Sequence, residues 1–196
     1  MFSLIKFLVR TYYRLLFRIR IEGEENLPQH EGYLLAANHI HLHDPLVIGA
    51  FFPVRMRVMA KKEIFKNPLF NWVLTTMGAF SVDRGGNDIK AIKQSLKILK
   101  NKEPLLIFPE GTRNPYKGRR HLPGKAGVPL IALKSRVRIV PVTIDSSYRL
   151  FGVVRILYHP PIALWEKYPS KLSARDYEEI AEELLDQIYE RVALNQ

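Results

Sequence analysis

The sequence predicts an α/β domain, a central and mostly parallel or mixed sheet flanked by helices, preceded by an amphipathic N-terminal helix. Three observations carry this prediction. Beyond Gly23, short apolar runs alternate with segments of helical periodicity, the pattern of strand–helix–strand units. The polar, motif-like stretches fall directly after apolar runs, where α/β folds form their sites. The C-terminal segment is a well-specified helix, with Ser173 and Asp176 at capping-box spacing and an apolar stripe that runs from Tyr177 through Ile188 to Val192.

Taken in order, the elements begin with MFSLIKFLVRTYYRLLFRIR, where Lys6, Arg10, Arg14 and Arg18 recur every four residues and drift slowly around one side of a helix. Leu4, Ile5, Leu8, Val9, Tyr12, Leu15, Leu16 and Ile19 occupy the opposite arc. No charge-free run approaches the ~20 residues of a spanning helix, and no small-residue cleavage site follows. An interfacial helix is expected, with basic side chains at headgroup level, and we divide the chain into this membrane-associating helix, residues 1–22, and a domain over 23–196. Within the domain the apolar runs predict strands over 33–37, 55–60, 79–82, 105–108, 138–144 and 153–158. Helical patterns fall at 45–51, 63–77, 87–100, 125–135 and 174–194. No internal repeat, low-complexity segment or domain linker interrupts them.

At 196 residues and 47% hydrophobic content, the chain suffices for one packed core. It has no cysteine, which excludes a thiol nucleophile, a cysteine zinc site and disulfides. The formal charge of +11 favours an anionic partner, and it is concentrated. Residues 1–20 carry five basic side chains and no acid, as do residues 111–125, whereas the C-terminal helix is acidic on what reads as a solvated face.

NHIHLHDP follows the strand YLLAA and admits three readings. Three alternate histidines on an extended strand would share a face and collect a metal. Asp44-Pro45, however, is a favoured N-cap and first helical residue, so the chain turns there and Asp44 serves at least as a helix cap. The completing ligands are also missing, because His30, His121 and His159 stand isolated, and no metal site is expected. The remaining reading is an acid/base pair. An imidazole with an ordinary pKa near ~6.5 takes a proton from a hydroxyl at neutral pH, provided its other nitrogen is held. Asp44 is placed to hold His39 in this way, which supplies two members of a triad and leaves the nucleophilic hydroxyl to the substrate.

A second motif, LLIFPEGTRN, ends a buried strand in Glu110, Gly111, Thr112 and Arg113. Gly111 permits close backbone approach and Arg113 offers a planar fork for phosphate. With the basic run to Lys125 behind it, an anion site is the favoured reading. Lys61, Lys62 and Arg84 lie between the two motifs, placed either to hold a phosphate or to face water.

Taken together and in order, NHIHLHD, GAFSVDRG, FPEGTR and IVPVTI closely resemble the glycerolipid acyltransferase family over roughly residues 33–145. The best-known members of that family are the 1-acylglycerol-3-phosphate acyltransferases. The resemblance implies transfer of an acyl chain from acyl-CoA or acyl-carrier protein to the free hydroxyl of a lysophospholipid. It further implies work at the cytoplasmic face of the cell membrane as a peripheral or monotopic protein, with no metal, cofactor or covalent intermediate. By position, His39 looks like the catalytic base and Asp44 its partner. Arg84, Glu110, Gly111, Thr112 and Arg113 look like the phosphate and glycerol site, Lys62 is counted with them as substrate-binding, and Pro141 belongs to the block nearer the acyl donor. His41 departs from the serine that many members carry, and the loop over 114–124 is unusually basic.

Rival readings are an acyltransferase for glycerol 3-phosphate, another lysophospholipid or a lyso-aminolipid, a metallohydrolase, and a basic membrane- or nucleic-acid-binding module without catalysis. Nucleic acid is not an expected partner, since RNA readers pair basic patches with exposed aromatics on recognisable modules and none is evident.

Overall fold

The computed structural model describes residues 1–82, 89–116, 120–169 and 171–192. Helix α1 (Phe2–Leu16) leads into β1 (Arg18–Glu22), and β2 (Leu34–Ala37) into α2 (Asp44–Phe51). Next come β3 (Arg57–Lys61), α3 (Pro68–Thr76), β4 (Ala79–Val82), α4 (Ile89–Lys100) and β5 (Leu105–Ile107). The chain closes with α5 (Gly127–Ser135), β6 (Ile139–Ser146), β7 (Val153–Tyr158), α6 (Leu164–Lys167) and α7 (Ala174–Tyr189). The strands form one seven-stranded sheet in the order β1-β7-β6-β2-β5-β3-β4, parallel throughout except where β6 meets β7.

Strand alternation sorts the core into two layers. Leu35 and Ala37 of β2, Leu106 of β5 and Val140, Val142 and Ile144 of β6 pack beneath α1 and α2. Leu34, Ala36, Leu105, Ile107 and Ile139 point the other way, against α4, α5 and α7. Covered on both faces, β2, β5 and β6 are buried at every residue, which explains the unbroken apolar sequence of β2, β5 and the first half of β6.

The expected mixed sheet and its flanking helices are therefore present, with local corrections. The N-terminal helix stops at Leu16, because RIRIE has period two and joins β7 as a parallel edge strand. The four-residue arginine spacing had concealed that alternation. The helix expected over 63–77 is divided into a 3₁₀ turn, Lys62–Lys66, and α3. Pro68 is the cause, since it pushes Asn67 to an extended backbone and lacks the N–H a continuous helix would use. Asn67 then starts α3, its Oδ1 accepting the Leu69 N–H at 3.0 Å. The capping box of α7 forms as read, the Ser173 N–H donating to Asp176 and the Asp176 N–H to Ser173 Oγ.

Helix α1 has an unusual orientation. Part of its basic side is turned inward: Lys6 donates to the Phe52 carbonyl and Arg10 to the Ala50 carbonyl at 3.0 Å, at the C-terminal end of α2 where cations are favoured. Arg10 and Arg14 also lie over the Phe51 ring. Ile5 and Tyr13 are buried, while Leu4, Phe7, Leu8, Tyr12 and Leu15 are each more than half exposed. The outer face of α1 is thus apolar, the reverse of an ordinary surface helix. Neighbouring α3 adds exposed Leu69 and Trp72, and the turn bonded to Leu16 adds Leu150 and Phe151. Among the described residues, no helix is long and apolar enough to cross a membrane.

Candidate active site

β2 lies between β5 and β6. It leaves over one face through α2, whereas β5 returns over the other face through α5, so the loops after all three strands open into a crevice at the carboxyl edge of the sheet. Asn38 anchors the first of these loops, its Nδ2 donating to the Ile144 carbonyl at 2.8 Å and its Oδ1 accepting the Ile144 N–H at 2.7 Å. The next residue is His39.

His39 Nδ1 lies 2.9 Å from Asp44 Oδ2. That oxygen also accepts the backbone N–H groups of Ile40 and His41, each at 2.7 Å, and Oδ1 accepts the Tyr148 hydroxyl at 2.6 Å. Asp44 is fully buried and does not act as a helix cap. It is the first residue of α2, His43 holds the N-cap position, and the carboxylate curls back over the preceding loop. Ringed by four donors, the carboxylate is an acceptor, so Nδ1 carries the ring proton and Nε2 presents its lone pair. Phe108 stacks on the imidazole, centroids 4.2 Å apart, and 13% of the His39 side chain reaches solvent. A held imidazole with one open nitrogen is what general-base work requires.

The other two histidines are engaged differently. His43 Nδ1 is 2.7 Å from the Tyr13 hydroxyl of α1, and His41 stacks between His43 and Tyr148, at 4.8 and 4.5 Å. Burial, the neighbouring His43 and, more weakly, Arg113 and His39 lower the basicity of His41, against the opposing pull of Asp44. Among the described residues, no group of three or more His, Cys, Asp or Glu side chains is arranged to hold a metal ion.

Glu110, expected at the phosphate and glycerol site, instead faces the interior and is 1% exposed. Its Oε2 accepts the His39 N–H at 2.9 Å, and its Oε1 accepts the Asn114 amide at 2.6 Å, the Tyr189 hydroxyl at 2.9 Å and the Leu122 N–H at 3.0 Å. The carboxylate therefore ties the β2 loop, the β5 loop and α7 together, leaving Thr112 and Arg113 on the exposed side of the turn. Gly111 makes that turn at φ +69°, a conformation that favours glycine. His121 fastens the same loop to α7 through Asp186 at 2.8 Å. Burial alone would lower its affinity for a proton, but the Leu122 carbonyl, Asp186 and Glu182 raise it.

Of the remaining expected residues, Lys62 is exposed at the carboxyl end of β3, the same edge of the sheet as His39. Pro141 is not surface-accessible as a donor contact would require. It is buried within β6 in register with Ala36, and its carbonyl accepts the His159 N–H at 2.9 Å. Arg84 lies outside the described residues. Tyr13, Tyr189 and Tyr148 reach the site across 30, 79 and 104 residues from His43, Glu110 and Asp44 respectively. No local spacing marks them.

The acyltransferase family profile matches residues 18–145, which contain His39, Asp44, Glu110 and Arg113. The chain belongs to the acyltransferase family. Among proteins resembling this acyltransferase, a 1-acyl-sn-glycerol-3-phosphate acyltransferase of Streptococcus pneumoniae is 38% identical over 130 residues, 64% of this chain and 46% of that one. The enzyme of the same name from Saccharomyces cerevisiae is 31% identical over 87% of this chain and 58% of its own. The Bacillus subtilis one is 32% identical over 78% and 79% respectively. The chain thus spans about half the length of the first two relatives. The crystal structure of the 1-acyl-sn-glycerophosphate acyltransferase PlsC from Thermotoga maritima superposes with a TM-score of 0.74 at 26% identity, over 98% of this chain and 81% of that one.

Proposed function

We propose that this acyltransferase moves a fatty acyl group from acyl-CoA or acyl-carrier protein to the free hydroxyl of 1-acyl-glycerol-3-phosphate, giving phosphatidic acid for phospholipid synthesis. The observation that carries the reading is the His39–Asp44 pair, 2.9 Å apart at the mouth of the crevice with Nε2 open. Nε2 takes the proton of the acceptor hydroxyl, whose oxygen attacks the thioester carbonyl carbon. Asp44 steadies the imidazolium as it forms, and backbone N–H groups of the surrounding loops stabilise the oxyanion. When the C–S bond breaks, the imidazolium returns the proton to the leaving thiolate. Arg113 is the fork for the acceptor phosphate, with Gly111 and Thr112 beside it and Lys62 and Arg84 as further cations. The acyl donor is a co-substrate, and the scheme uses no cofactor.

The reading is tested by offering the purified protein lysophosphatidic acid, other lysophospholipids, glycerol 3-phosphate and a lyso-aminolipid with each thioester donor, and weighing the product by mass spectrometry. Phosphatidic acid from lysophosphatidic acid is expected as the dominant product. A different dominant acceptor would replace the one named here, and release of free fatty acid alone would remove the transferase reading.

We further propose that the outward apolar face of α1 rests on the cytoplasmic face of the cell membrane and brings the crevice to its lipid substrates. Support comes from Leu4, Phe7, Leu8 and Leu15, exposed on a helix whose Lys6 and Arg10 are occupied at the end of α2. Burial in lipid favours each leucine by roughly 1.5–3 kcal/mol when complete. The triple substitution Leu4→Ser, Leu8→Ser and Leu15→Ser is therefore expected to weaken cosedimentation with anionic phospholipid vesicles by about a hundredfold or more, with the circular dichroism spectrum unchanged. Undiminished vesicle binding would mean that another surface meets the membrane.

A further inference from the structure

Asp44 has two oxygens, and they are satisfied from different directions. Oδ2 takes three donors from its own loop: His39 Nδ1 and the N–H groups of Ile40 and His41. Oδ1 takes the Tyr148 hydroxyl at 2.6 Å, a charge-assisted distance, from the β6–β7 turn 104 residues away. The ring of Tyr148 lies against His41, centroids 4.5 Å apart and planes 23° apart, and its edge meets Phe17 at 5.7 Å. Its backbone sits at φ +50°, a region that a bulky side chain rarely occupies, and Ser146 Oγ holds its N–H at 2.9 Å. Burial first, and then the charge of Asp44, push the Tyr148 hydroxyl well above its ordinary range, so it stays protonated and donates.

We propose that Tyr148 is a positioning residue for the catalytic pair, its hydroxyl fixing the rotation and charge of Asp44 behind His39, and that His41 is the platform that holds the Tyr148 ring in place. A serine at position 41 has no ring to stack on Tyr148, which accounts for the histidine on physical grounds. The proposal rests on the acyl-transfer reading for its kinetic readout, but not for its structural one.

The groups that bear on Asp44 and His39 are His41 and His43 on the same loop, Tyr13 on α1, Glu110 and Arg113 after β5, Tyr148 after β6, and Tyr189 on α7. Removing the Tyr148 hydroxyl leaves the buried Oδ1 without that donor. The carboxylate becomes less stabilised as an anion and a stronger partner for the imidazolium, so the proton affinity of His39 rises.

Tyr148→Phe keeps the ring and removes only the hydroxyl. In this variant kcat is expected to fall about ten- to a hundredfold at neutral pH, and the acidic limb of the kcat/KM profile to move to higher pH. The His39 ring protons, followed by NMR titration of the ligand-free protein, are expected to shift in the same direction. His41→Phe keeps the stack and is expected to hold kcat within about threefold, whereas His41→Ser loses it and adds little once Tyr148→Phe is already present. A merely structural role would lower stability without moving the His39 titration. An unmoved titration in Tyr148→Phe, or fully additive losses in the double variant, would overturn the proposal. If no thioester supports transfer in the parent protein while the NMR shift is present, the acyl-transfer reading fails and the positioning role stands.

Discussion

Replacement of His39 by alanine is expected to reduce acyl transfer by roughly 10²–10⁴, the usual contribution of a positioned general base. The side chain is nearly buried between Phe108 and the loop, but it reaches one edge of the crevice, and its sole described ring hydrogen bond is to Asp44. Its backbone N–H remains bonded to Glu110 in the variant, so the loop keeps its anchor. Thermal unfolding and vesicle binding should therefore change little while product formation collapses. The measurement is initial-rate acyl transfer beside a melting curve of the same sample, and retained turnover would remove His39 from the chemistry.

Glu110→Ala is expected to act on the fold before it acts on the reaction. Four donors converge on this nearly inaccessible carboxylate, from His39, Asn114, Leu122 and Tyr189. Truncation removes an acceptor from all of them at once; the Asn114 amide keeps the Arg120 carbonyl and the Tyr189 hydroxyl, whereas leaving the other buried donors unpaired costs about 1–3 kcal/mol each where no water replaces the acceptor. A loss of about 3 kcal/mol or more is expected in urea unfolding, a large part of the ~5–15 kcal/mol that holds a domain together. Tyr189→Phe removes one donor together with its acceptor demand and should cost far less. A loss below about 1 kcal/mol for Glu110→Ala would show that these loops are held by other contacts.

Much of this protein is legible from its sequence. The six strands expected from apolar runs are present with their ends matched to within two residues, because strands buried on both faces, such as β2 and β5, demand apolar residues and the chain supplies them. The capping box of α7 is a contact between residues three apart, so its chemistry is local and readable. His39 and Asp44 are similarly close, separated by four residues across a turn that Pro45 helps to set.

What failed to be legible depends on distance along the chain or on competition between local signals. The helix expected to run to residue 22 is cut at Leu16, since pairing with β7 satisfies the backbone of RIRIE, and β7 lies 135 residues further on. Glu110 reads as a ligand when its motif is taken alone, because a carboxylate beside glycine and arginine suits a binding turn. Only packing shows that its oxygens are filled by His39, Leu122, Asn114 and Tyr189. Pro141 likewise reads as a site residue, until the register of β6 with β2 places it inside the sheet.

The sequence by itself determined the alternating strands and helices, the pairing of His39 with Asp44 and an N-terminal helix with one apolar arc. The tertiary structure decided which side of that helix faces outward, that Asp44 holds His39 while Glu110 ties loops together, and that Tyr148 stands behind Asp44. The division has a physical cause: periodicity and turns are written within a few residues, whereas a buried polar group finds its partners wherever the fold brings them.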